Sequence, residues 1–544
     1  MNRTRLASYE GAGGFLLDWM VTGFFPNGTV GGAGPDLYEP KRSRHWRRDY
    51  LRPLGGEPAV RGLPEPKGIA PLEWLPLRAP AHDPRLRLDS FRRAYPELAR
   101  AWPEPWDHQW YALAIVESGA AQRAELRFSG HDGCRLWLNG RLIFEEHSWH
   151  KPVFDLHTVG ARLRRGRNTV LMKVDRFGLV ARLTGSGGRR LAGSPVTLSP
   201  VEPRPEPSGT FEQLTRYSRT LEVGLPCRPA TPAEFRSWKR RARAHFRRAI
   251  GPMPRLPKRR PARLIECVQR DGYTRRLYRL TREAGTELPV HLLLPDADRF
   301  NGRTVICPHG HGQDDKVVAG IELPARPHGN WFGPFTGNYA ELLARAGFVT
   351  ATWAERALSR ERCDPTGIRT GDPCNLAALC AAAMGMTLPG LHLFDLHGVT
   401  EFVCSLPGVD RRRLGLTGLS GGATMTYLAA AYDERFKAGA VFCGIHSYAD
   451  YARSYDGCGQ QIVPGLYPTL DVGELLCLAA PRPLLLGQGR RDTTFNVFLL
   501  ERFARQARRA YRALGAADRL EMHVYDLAHQ MDVAAAIDFF ERRL

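Results

Sequence analysis

The chain has 544 residues, of which 43% are hydrophobic and 24% are charged. This is the composition of a globular protein that can bury a sizeable core, and the length predicts two or more domains. The formal net charge is +21, carried mostly by arginine because only eight residues are lysine. The arginines are scattered and accompany no zinc-finger, RRM or helix-turn-helix pattern, so nucleic acid is not expected as a partner.

The cysteine pattern and the apolar runs indicate in which cellular compartment the protein is expected. Eleven cysteines, an odd number, are spread along the chain without a CxxC pair, a pattern that predicts neither a zinc site nor a thioredoxin-like motif. No run approaches the ~18 apolar residues of a membrane helix. The apolar segment Phe15–Leu17 is cut off by Asp18 and lacks a signal-peptide cleavage site. We therefore expect a cytoplasmic protein that needs no membrane.

Residues 1–205 are predicted to form an all-β, sandwich-like accessory domain. The first 110 residues are rich in Pro, Gly, Arg and Trp, and short segments of alternating polarity follow them. Asn139-Gly140 between two apolar runs is the strongest short hairpin signal, and several short strands at this spacing indicate a sandwich. The predicted strands are Trp110–Val116, Ala124–Phe128, Arg135–Leu138, Arg141–Phe144 and Thr169–Val174.

Residues 206–262 are predicted to be a linker and a leading helix. The proline-rich stretch Pro200–Pro207, at the start of this region, is a stiff, extended connector. Thr231-Pro-Ala-Glu then has the residues that begin a helix, with Thr as N-cap, Pro at the first position and Glu at the third. The helix should run to Ile250, where Gly251-Pro252 ends it.

Strands and helices alternate over residues 263–544, which predicts an α/β domain with a mostly parallel sheet flanked by helices. The predicted strands are Leu264–Arg270, Thr274–Thr281, Leu288–Leu294, Thr304–Cys307, Phe348–Thr352, Leu414–Thr417, Ala438–Phe442, Leu484–Gly487 and Glu521–Tyr525.

A glycine-rich motif, Gly418-Leu-Ser-Gly-Gly, lies between a predicted strand and the alanine-rich helical stretch Ala423–Ala431. Glycines leave room where a strand turns sharply into a helix, and such a turn exposes the serine Oγ at the carboxyl edge of the sheet. The helix N-terminus lies where negative charge would develop. Ser420 is therefore the candidate nucleophile.

A serine hydroxyl needs a base to take its proton. His529 is the best candidate, because it follows the last predicted strand and precedes the helix predicted over Asp532–Leu544. His523, within that strand, and His446, just after another, are weaker candidates.

A carboxylate must orient that histidine and stabilise its charged form. Asp492 lies just past the predicted strand that ends at Gly487, again at the carboxyl edge of the sheet. Asp526 is the rival, although it stands only three residues before His529.

The developing oxyanion needs preorganised donors, usually backbone N–H groups. The amide of Gly421 supplies one, and the amide of His311, in Pro308-His-Gly-His-Gly, is the choice for the other, with Gly310 and Gly312 as alternatives. His309 and His311 have no third ligand at a suitable spacing nearby, so we expect no metal and no cofactor.

Five stretches of residues 263–544 stand in a characteristic order and spacing: Cys307-Pro-His-Gly-His-Gly, Ala346-Gly-Phe-Val-Thr-Ala-Thr-Trp-Ala-Glu-Arg, Met384-Gly-Met-Thr-Leu-Pro-Gly with Asp395, Val409 to Gly422, and Ala480-Pro-Arg-Pro-Leu-Leu-Leu. On these stretches, residues 263–544 resemble the α/β hydrolases grouped with acetyl xylan esterases and dienelactone hydrolases. The resemblance implies an α/β-hydrolase fold, a triad at Ser420, Asp492 and His529, the oxyanion hole just described, and small-acyl or carbohydrate esters as substrates. About 65 residues of the N-terminal region, Gly133–Phe144 with Leu163–Val174, resemble the jelly-roll modules of the galactose-binding-like class.

The sequence departs from this family in two places. Gly421 stands where a bulkier residue is usual, which predicts a looser turn. Glu355-Arg356 replaces a segment where many members have Asp, and we interpret it as a salt-bridged structural pair. The stretch from Arg356 to Pro389 is expected to include loops over the site.

Three functions are compatible with these patterns. The first is a serine carboxylesterase that removes acyl groups, for example from a carbohydrate, through an acyl-enzyme on Ser420. The second is a prolyl-oligopeptidase-like serine peptidase, which shares the elbow and the downstream Asp and His but normally has a propeller with blade repeats. The third is a non-catalytic binding protein on a hydrolase scaffold.

Overall fold

The computed structural model divides into two compact units, Met1–Thr220 with Gly329–Trp331, and Leu221–His328 with Phe332–Leu544. The second unit therefore begins before the leading helix. In the first unit the structure describes residues 16, 18–26, 29–30, 42–43, 47–52, 56–57, 74–79, 86–87, 108–130, 133–146, 156–175, 178–189, 191, 196–198, 214, 217 and 220. In the second it describes residues 221–258, 261–283, 285–311, 314–322, 337–359, 361–362, 373–448, 458–490, 492, 494–495 and 497–544.

The described part of the first unit is built from antiparallel strands. They form sheets of seven, four and two strands, with the main paths β4-β1-β6-β11-β8-β9 and β10-β7-β12-β5. The strands are β1 (Asp18–Pro26), β2 (Thr29–Val30), β3 (Arg42–Ser43), β4 (Leu75–Arg78), β5 (Leu86–Arg87), β6 (His108–Ser118), β7 (Gln122–Gly130), β8 (Cys134–Leu138), β9 (Arg141–Glu146), β10 (His157–Leu163), β11 (Gly166–Asp175), β12 (Gly178–Thr184) and β13 (Val196–Leu198).

The two larger sheets share one core. Trp110 of β6 and Val170 of β11 belong to the same buried cluster as Phe128 of β7 and Leu179 of β12, which lie in the other sheet. The predicted hairpin forms at Asn139-Gly140, both with positive φ, between β8 and β9. The five strands predicted here are present, and the all-β fold class is confirmed.

The second unit contains a nine-stranded sheet in the order β14-β15-β16-β18-β17-β19-β20-β21-β22. The first three pairings, which end with β16–β18, are antiparallel, and every pairing from β18 to β22 is parallel. The strands are β14 (Ala262–Arg270), β15 (Tyr273–Glu283), β16 (Thr286–Pro295), β17 (Thr304–Ile306), β18 (Val349–Trp353), β19 (Leu414–Leu419), β20 (Ala438–Phe442), β21 (Leu484–Gly489) and β22 (Leu520–Tyr525).

The second unit also contains α-helices, which alternate with the strands along the chain. They are α1 (Pro232–Ile250), α2 (Asp315–Val318), α3 (Tyr339–Arg345), α4 (Pro373–Ala383), α5 (Leu388–Ser405), α6 (Gly421–Tyr432), α7 (Val472–Ala479), α8 (Val497–Ala513) and α9 (Val533–Arg543). The predicted start of α1 is present, since Thr231 Oγ1 accepts a hydrogen bond from the Glu234 N–H at 3.2 Å. Gly251 ends the helix, as its N–H donates to the Arg248 carbonyl.

Separate apolar clusters cover the sheet of the second unit. Val290 of β16 and Leu416 of β19 share one with Phe246 of α1, whereas Val305 of β17 shares another with Phe540 of α9. Since buried, apolar parallel strands need cover on each face, this arrangement confirms the predicted α/β-hydrolase fold class.

None of the helices described is by itself long and apolar enough to cross a membrane. The pair α4 and α5 passes a test of length and composition only when joined, with a bend of 96° between them.

Candidate active site

Ser420 stands at the sharp turn between β19 and α6, as the motif predicts. Its backbone has φ 61° and ψ −120°, a conformation that L-residues rarely adopt. The turn is held by two backbone hydrogen bonds, from the Ser420 N–H to Phe442 O and from the Thr424 N–H to Ser420 O, each 3.0 Å long. The residue is 8% exposed, so the residues packed around it hold its backbone in this strained conformation.

The loop after β17 lies directly against this turn. A β-carbon on Gly310 would come within 2.9 Å of the Gly421 nitrogen and 3.1 Å of the Ser420 β-carbon. Only glycine permits so close an approach of two backbones. The loop predicted to supply the second oxyanion donor is therefore beside the first donor. His311 is the next residue of this loop, and Gly312 lies outside the described residues.

Asp492 and His529 are in contact, although they are far apart in the sequence. Asp492 Oδ2 lies 2.9 Å from His529 Nδ1, and the two residues are 1% and 2% exposed. They follow β21 and β22, which pair in parallel next to each other in the sheet. The carboxyl ends of neighbouring parallel strands thus bring the two side chains together.

The Asp492 carboxylate has a full set of donors. The amides of Thr494 and Phe495 donate to Oδ1 at 2.7 and 3.1 Å, and Gln488 Nε2 donates to Oδ2 at 2.8 Å. The Phe495 ring also stacks on the His529 imidazole at 5.7 Å. These contacts fix the positions of both side chains.

The rival residues are placed elsewhere. Asp526 is exposed, and His523 Nε2 lies 2.8 Å from Asp532 Oδ2 at the protein surface. His446 is buried among aromatic rings with Nδ1 3.3 Å from the Gly444 carbonyl, and burial lowers its pKa to about 4. Of the candidate acids and bases predicted from the sequence, Asp492 and His529 are therefore the two that contact each other.

Cys443 lies in the same buried group as Asp492 and His529. Burial raises the pKa of its thiol well above the ordinary value, and the neighbouring Asp492 adds to this effect.

Gly421 does not leave the turn loose, contrary to the sequence expectation. A β-carbon there would meet Gln460 Oε1 at 2.6 Å, and Gln460 Nε2 donates a hydrogen bond to the Gly421 carbonyl at 3.1 Å. Gln460 is fully buried. A side chain from a distant segment thus fills the space that a bulkier residue would occupy, a contact that no local pattern in the sequence indicates.

Arg356 is in ion pairs and Glu355 lies beside a histidine, but the two residues do not pair with each other. The Arg356 guanidinium binds Asp395 at 2.8 and 2.9 Å and also contacts Glu283. The buried Glu355 carboxylate lies 3.2 Å from His392 Nδ1. The two residues connect β18 to α5, but they do not form the salt-bridged pair that the sequence suggested, because Arg356 pairs with Asp395 and Glu283 instead.

The His311 side chain has partners that the sequence analysis missed. Its Nε2 lies 3.0 Å from Cys458 Sγ, which in turn lies 3.0 Å from Cys374 Sγ. The fold thus places two thiols beside His311 that no local spacing in the sequence indicates, since they come from positions 84 residues apart. The hydrogen bond with Cys374 lowers the pKa of the Cys458 thiol to about 5, against burial and with the help of His311.

No protein-family model matches the sequence. The uncharacterized protein PA2218 of Pseudomonas aeruginosa is 33% identical over 129 residues, 23% of this chain and 29% of that protein. The Bacillus subtilis protein YtaP, named as a hydrolase, is 27% identical over 137 residues, 25% of this chain and 46% of that protein. The matched segments span less than half the length of either relative.

Solved structures similar to the chain are named as esterases. A Bacteroides fragilis protein described as an acetyl xylan esterase is 16% identical, with a TM-score of 0.49 over 60% of this chain and 84% of its own. A glucuronoyl esterase from Solibacter usitatus is 15% identical, with a TM-score of 0.43 over 59% and 97%. Methylesterase BT1017 is 20% identical, with a TM-score of 0.45 over 65% and 72%.

Proposed function

We propose that the protein is a serine carboxylesterase in which Ser420, His529 and Asp492 act as a catalytic triad. The observation that carries this proposal is the buried hydrogen bond between His529 Nδ1 and Asp492. Because Nδ1 is engaged by Asp492, we assign Nε2 to the nucleophile Ser420, which stands in a strained elbow. A binding scaffold has no need of this combination.

In the proposed reaction His529 Nε2 takes the proton from Ser420 Oγ as Oγ attacks the ester carbonyl carbon. The resulting oxyanion accepts hydrogen bonds from the Gly421 amide and from the loop of Gly310 and His311. The intermediate collapses, the C–O bond to the alcohol breaks, and His529 returns the proton to the leaving alcohol. Water, deprotonated by the same histidine, then attacks the acyl-enzyme and releases the acid and Ser420.

The substrate class follows from the resemblance to acetyl xylan esterases, and we propose acyl groups on a carbohydrate. The peptidase alternative has less support. Among the described residues of the first unit, the strands form sheets of seven, four and two strands, whereas a propeller would need repeated four-stranded blades.

The test compares Ser420→Ala with Ser405→Ala, an exposed serine at the end of α5. With p-nitrophenyl acetate as substrate, Ser420→Ala should lower kcat by at least about a thousandfold, and Ser405→Ala should leave it unchanged. Activity retained in Ser420→Ala would disprove the assignment. A fluorophosphonate probe should label the wild-type protein at Ser420, and a folded protein that stays unlabelled would favour the binding scaffold.

A side-by-side series of acetylated, feruloylated and longer-acyl carbohydrate esters then defines the acyl group. Proline-containing chromogenic peptides are the comparison. Turnover of the peptides in preference to the esters would favour the peptidase.

A further inference from the structure

A cluster of two thiols and one imidazole lies beside the elbow and has no part in the proposed triad. It consists of Cys374, Cys458 and His311, whose donor atoms all lie within 4.8 Å of one another. Cys374 is buried, and the other two are half-buried. Thiolate sulfur and imidazole nitrogen are ligands that Zn²⁺ prefers, whereas Mg²⁺ and Ca²⁺ prefer oxygen.

The three donors come from three segments that are each held in place. Cys374 lies in the first turn of α4, and its Sγ accepts a hydrogen bond from the Gln460 N–H at 3.3 Å. The Gly459 amide donates to Asn375 Oδ1 at 2.6 Å, which fixes the backbone next to Cys458. Hydrogen bonds that support ligand atoms and their backbone are typical of protein metal sites.

The distances between the donor atoms would suit a central zinc ion after small rotations of the side chains. In a tetrahedral zinc site, Zn–S bonds of about 2.3 Å and Zn–N bonds of about 2.0 Å separate the donor atoms by roughly 3.5 to 3.8 Å. The two neighbouring donor pairs here are 3.0 Å apart. Small rotations of the three side chains would open them by the remaining fraction of an ångström.

We propose that Cys374, Cys458 and His311 bind one Zn²⁺ ion, with a fourth position open to water or another small ligand. An ion there would join the loop of Gly310 and His311 to the segment that carries Gln460. Both segments contact the elbow, through Gly310 against Ser420 and through Gln460 against Gly421. The ion would thus hold the two sides of the oxyanion hole together, a role that rests on the proposed function, whereas zinc binding itself does not.

The first experiment measures binding without any reference to activity. The full chain, purified under reducing conditions and stripped with a chelator, is titrated with Zn²⁺ against a competing chromophoric chelator. We expect a single tight equivalent. Replacing Zn²⁺ by Co²⁺ should give a thiolate-to-metal charge-transfer band with tetrahedral d–d bands, a signature that needs no variant.

The variants are Cys374→Ser, Cys458→Ser and His311→Ala, with Cys380→Ser as the matched control. Cys380 is an exposed cysteine on the same helix as Cys374. Loss of a ligand should weaken Zn²⁺ binding by more than about a hundredfold, since even the loss of a supporting residue costs 10 to 100-fold. Cys380→Ser should bind as the wild type does, and circular dichroism reports whether each variant is folded.

Two results would overturn the proposal. One is a wild-type chain that binds no more Zn²⁺ than Cys374→Ser, or that gives Co²⁺ spectra without sulfur ligation. The other is a Cys374–Cys458 disulfide, seen by mass spectrometry of alkylated and unreduced peptides from the freshly isolated protein. If zinc binds but Ser420→Ala keeps full esterase activity, the metal site stands and the proposed function fails.

Discussion

The Gln460 side chain and the Gly421 peptide form one unit at the elbow. The amide nitrogen of Gln460 donates to the Gly421 carbonyl at 3.1 Å, and its oxygen stands 2.6 Å from the place of a β-carbon on Gly421. The absence of a side chain at 421 and the presence of an amide at 460 are therefore two parts of the same contact.

This contact predicts that substitutions at the two positions are coupled. Gly421→Ala should displace the Gln460 amide, and the resulting shift of the elbow should lower kcat/KM by about 10 to 100-fold. Gln460→Ala should lower it less, because the backbone turn can persist. In the double variant the extra methyl group has room, so the combined loss should be smaller than the sum of the separate losses in free energy.

The measurement is a double-mutant cycle: steady-state kinetics and thermal unfolding of the wild type, the two single variants and the double variant. Additive losses would show that Gln460 does not fill the space beside Gly421.

The Asp492–His529 hydrogen bond predicts a large difference between two aspartates. Asp492→Asn should lower kcat by about 10⁴-fold, because an amide favours the wrong imidazole tautomer and does not stabilise its charged form. Asp526→Asn, at an exposed position just before His529, should change kcat less than threefold, because in the proposed triad Asp492 and not Asp526 orients the imidazole. Pre-steady-state and steady-state rates with p-nitrophenyl acetate measure both, and equal effects would remove Asp492 from the triad.

The buried imidazole of His446 predicts a loss of stability in acid. Burial lowers its pKa from 6.5 to about 4. Between these pH values the unfolded chain binds a proton at His446 that the folded protein does not bind. The contribution is fully present above pH 6.5 and is lost as the pH falls towards 4. At pH 5 it has decreased by about 2 kcal/mol relative to pH 7.5.

The measurement compares the wild type with His446→Gln, which keeps a polar side chain but does not titrate. The surrounding rings of Tyr427, Tyr448 and Phe495 are uncharged in this range. Calorimetric unfolding at pH 7.5 and pH 5 should show a smaller fall in the variant. An identical fall in both proteins would mean that His446 takes up its proton in the folded state.

Much of the fold can be predicted from local patterns. Thr231 and Gly251 mark the ends of α1 because capping depends on neighbouring residues, and the elbow at Ser420 follows from a strand, glycines and a helix in succession. Strands β10 and β12 were not predicted. β12 is buried throughout and so lacks the alternation that predicts a strand.

The candidate site likewise contains residues that could be predicted from the sequence and residues that could not. Asp492 and His529 could be predicted because each follows a recognisable strand of a parallel sheet. Gln460, Cys374 and Cys458 could not, because their roles depend on contacts with residues 39 to 147 positions away. The localisation, the sugar-binding class of the N-terminal module and the second oxyanion amide stay predictions.

The order of β19, β21 and β22 along the chain also sets the order in which the machinery is synthesised. Ser420 leaves the ribosome before Asp492, and His529 comes last. Folding during synthesis proceeds from the N-terminal side, so the elbow can form while the base is still untranslated. Under the proposed mechanism a nascent chain is inert towards esters until β22 has paired with β21, and only then does the serine acquire its base.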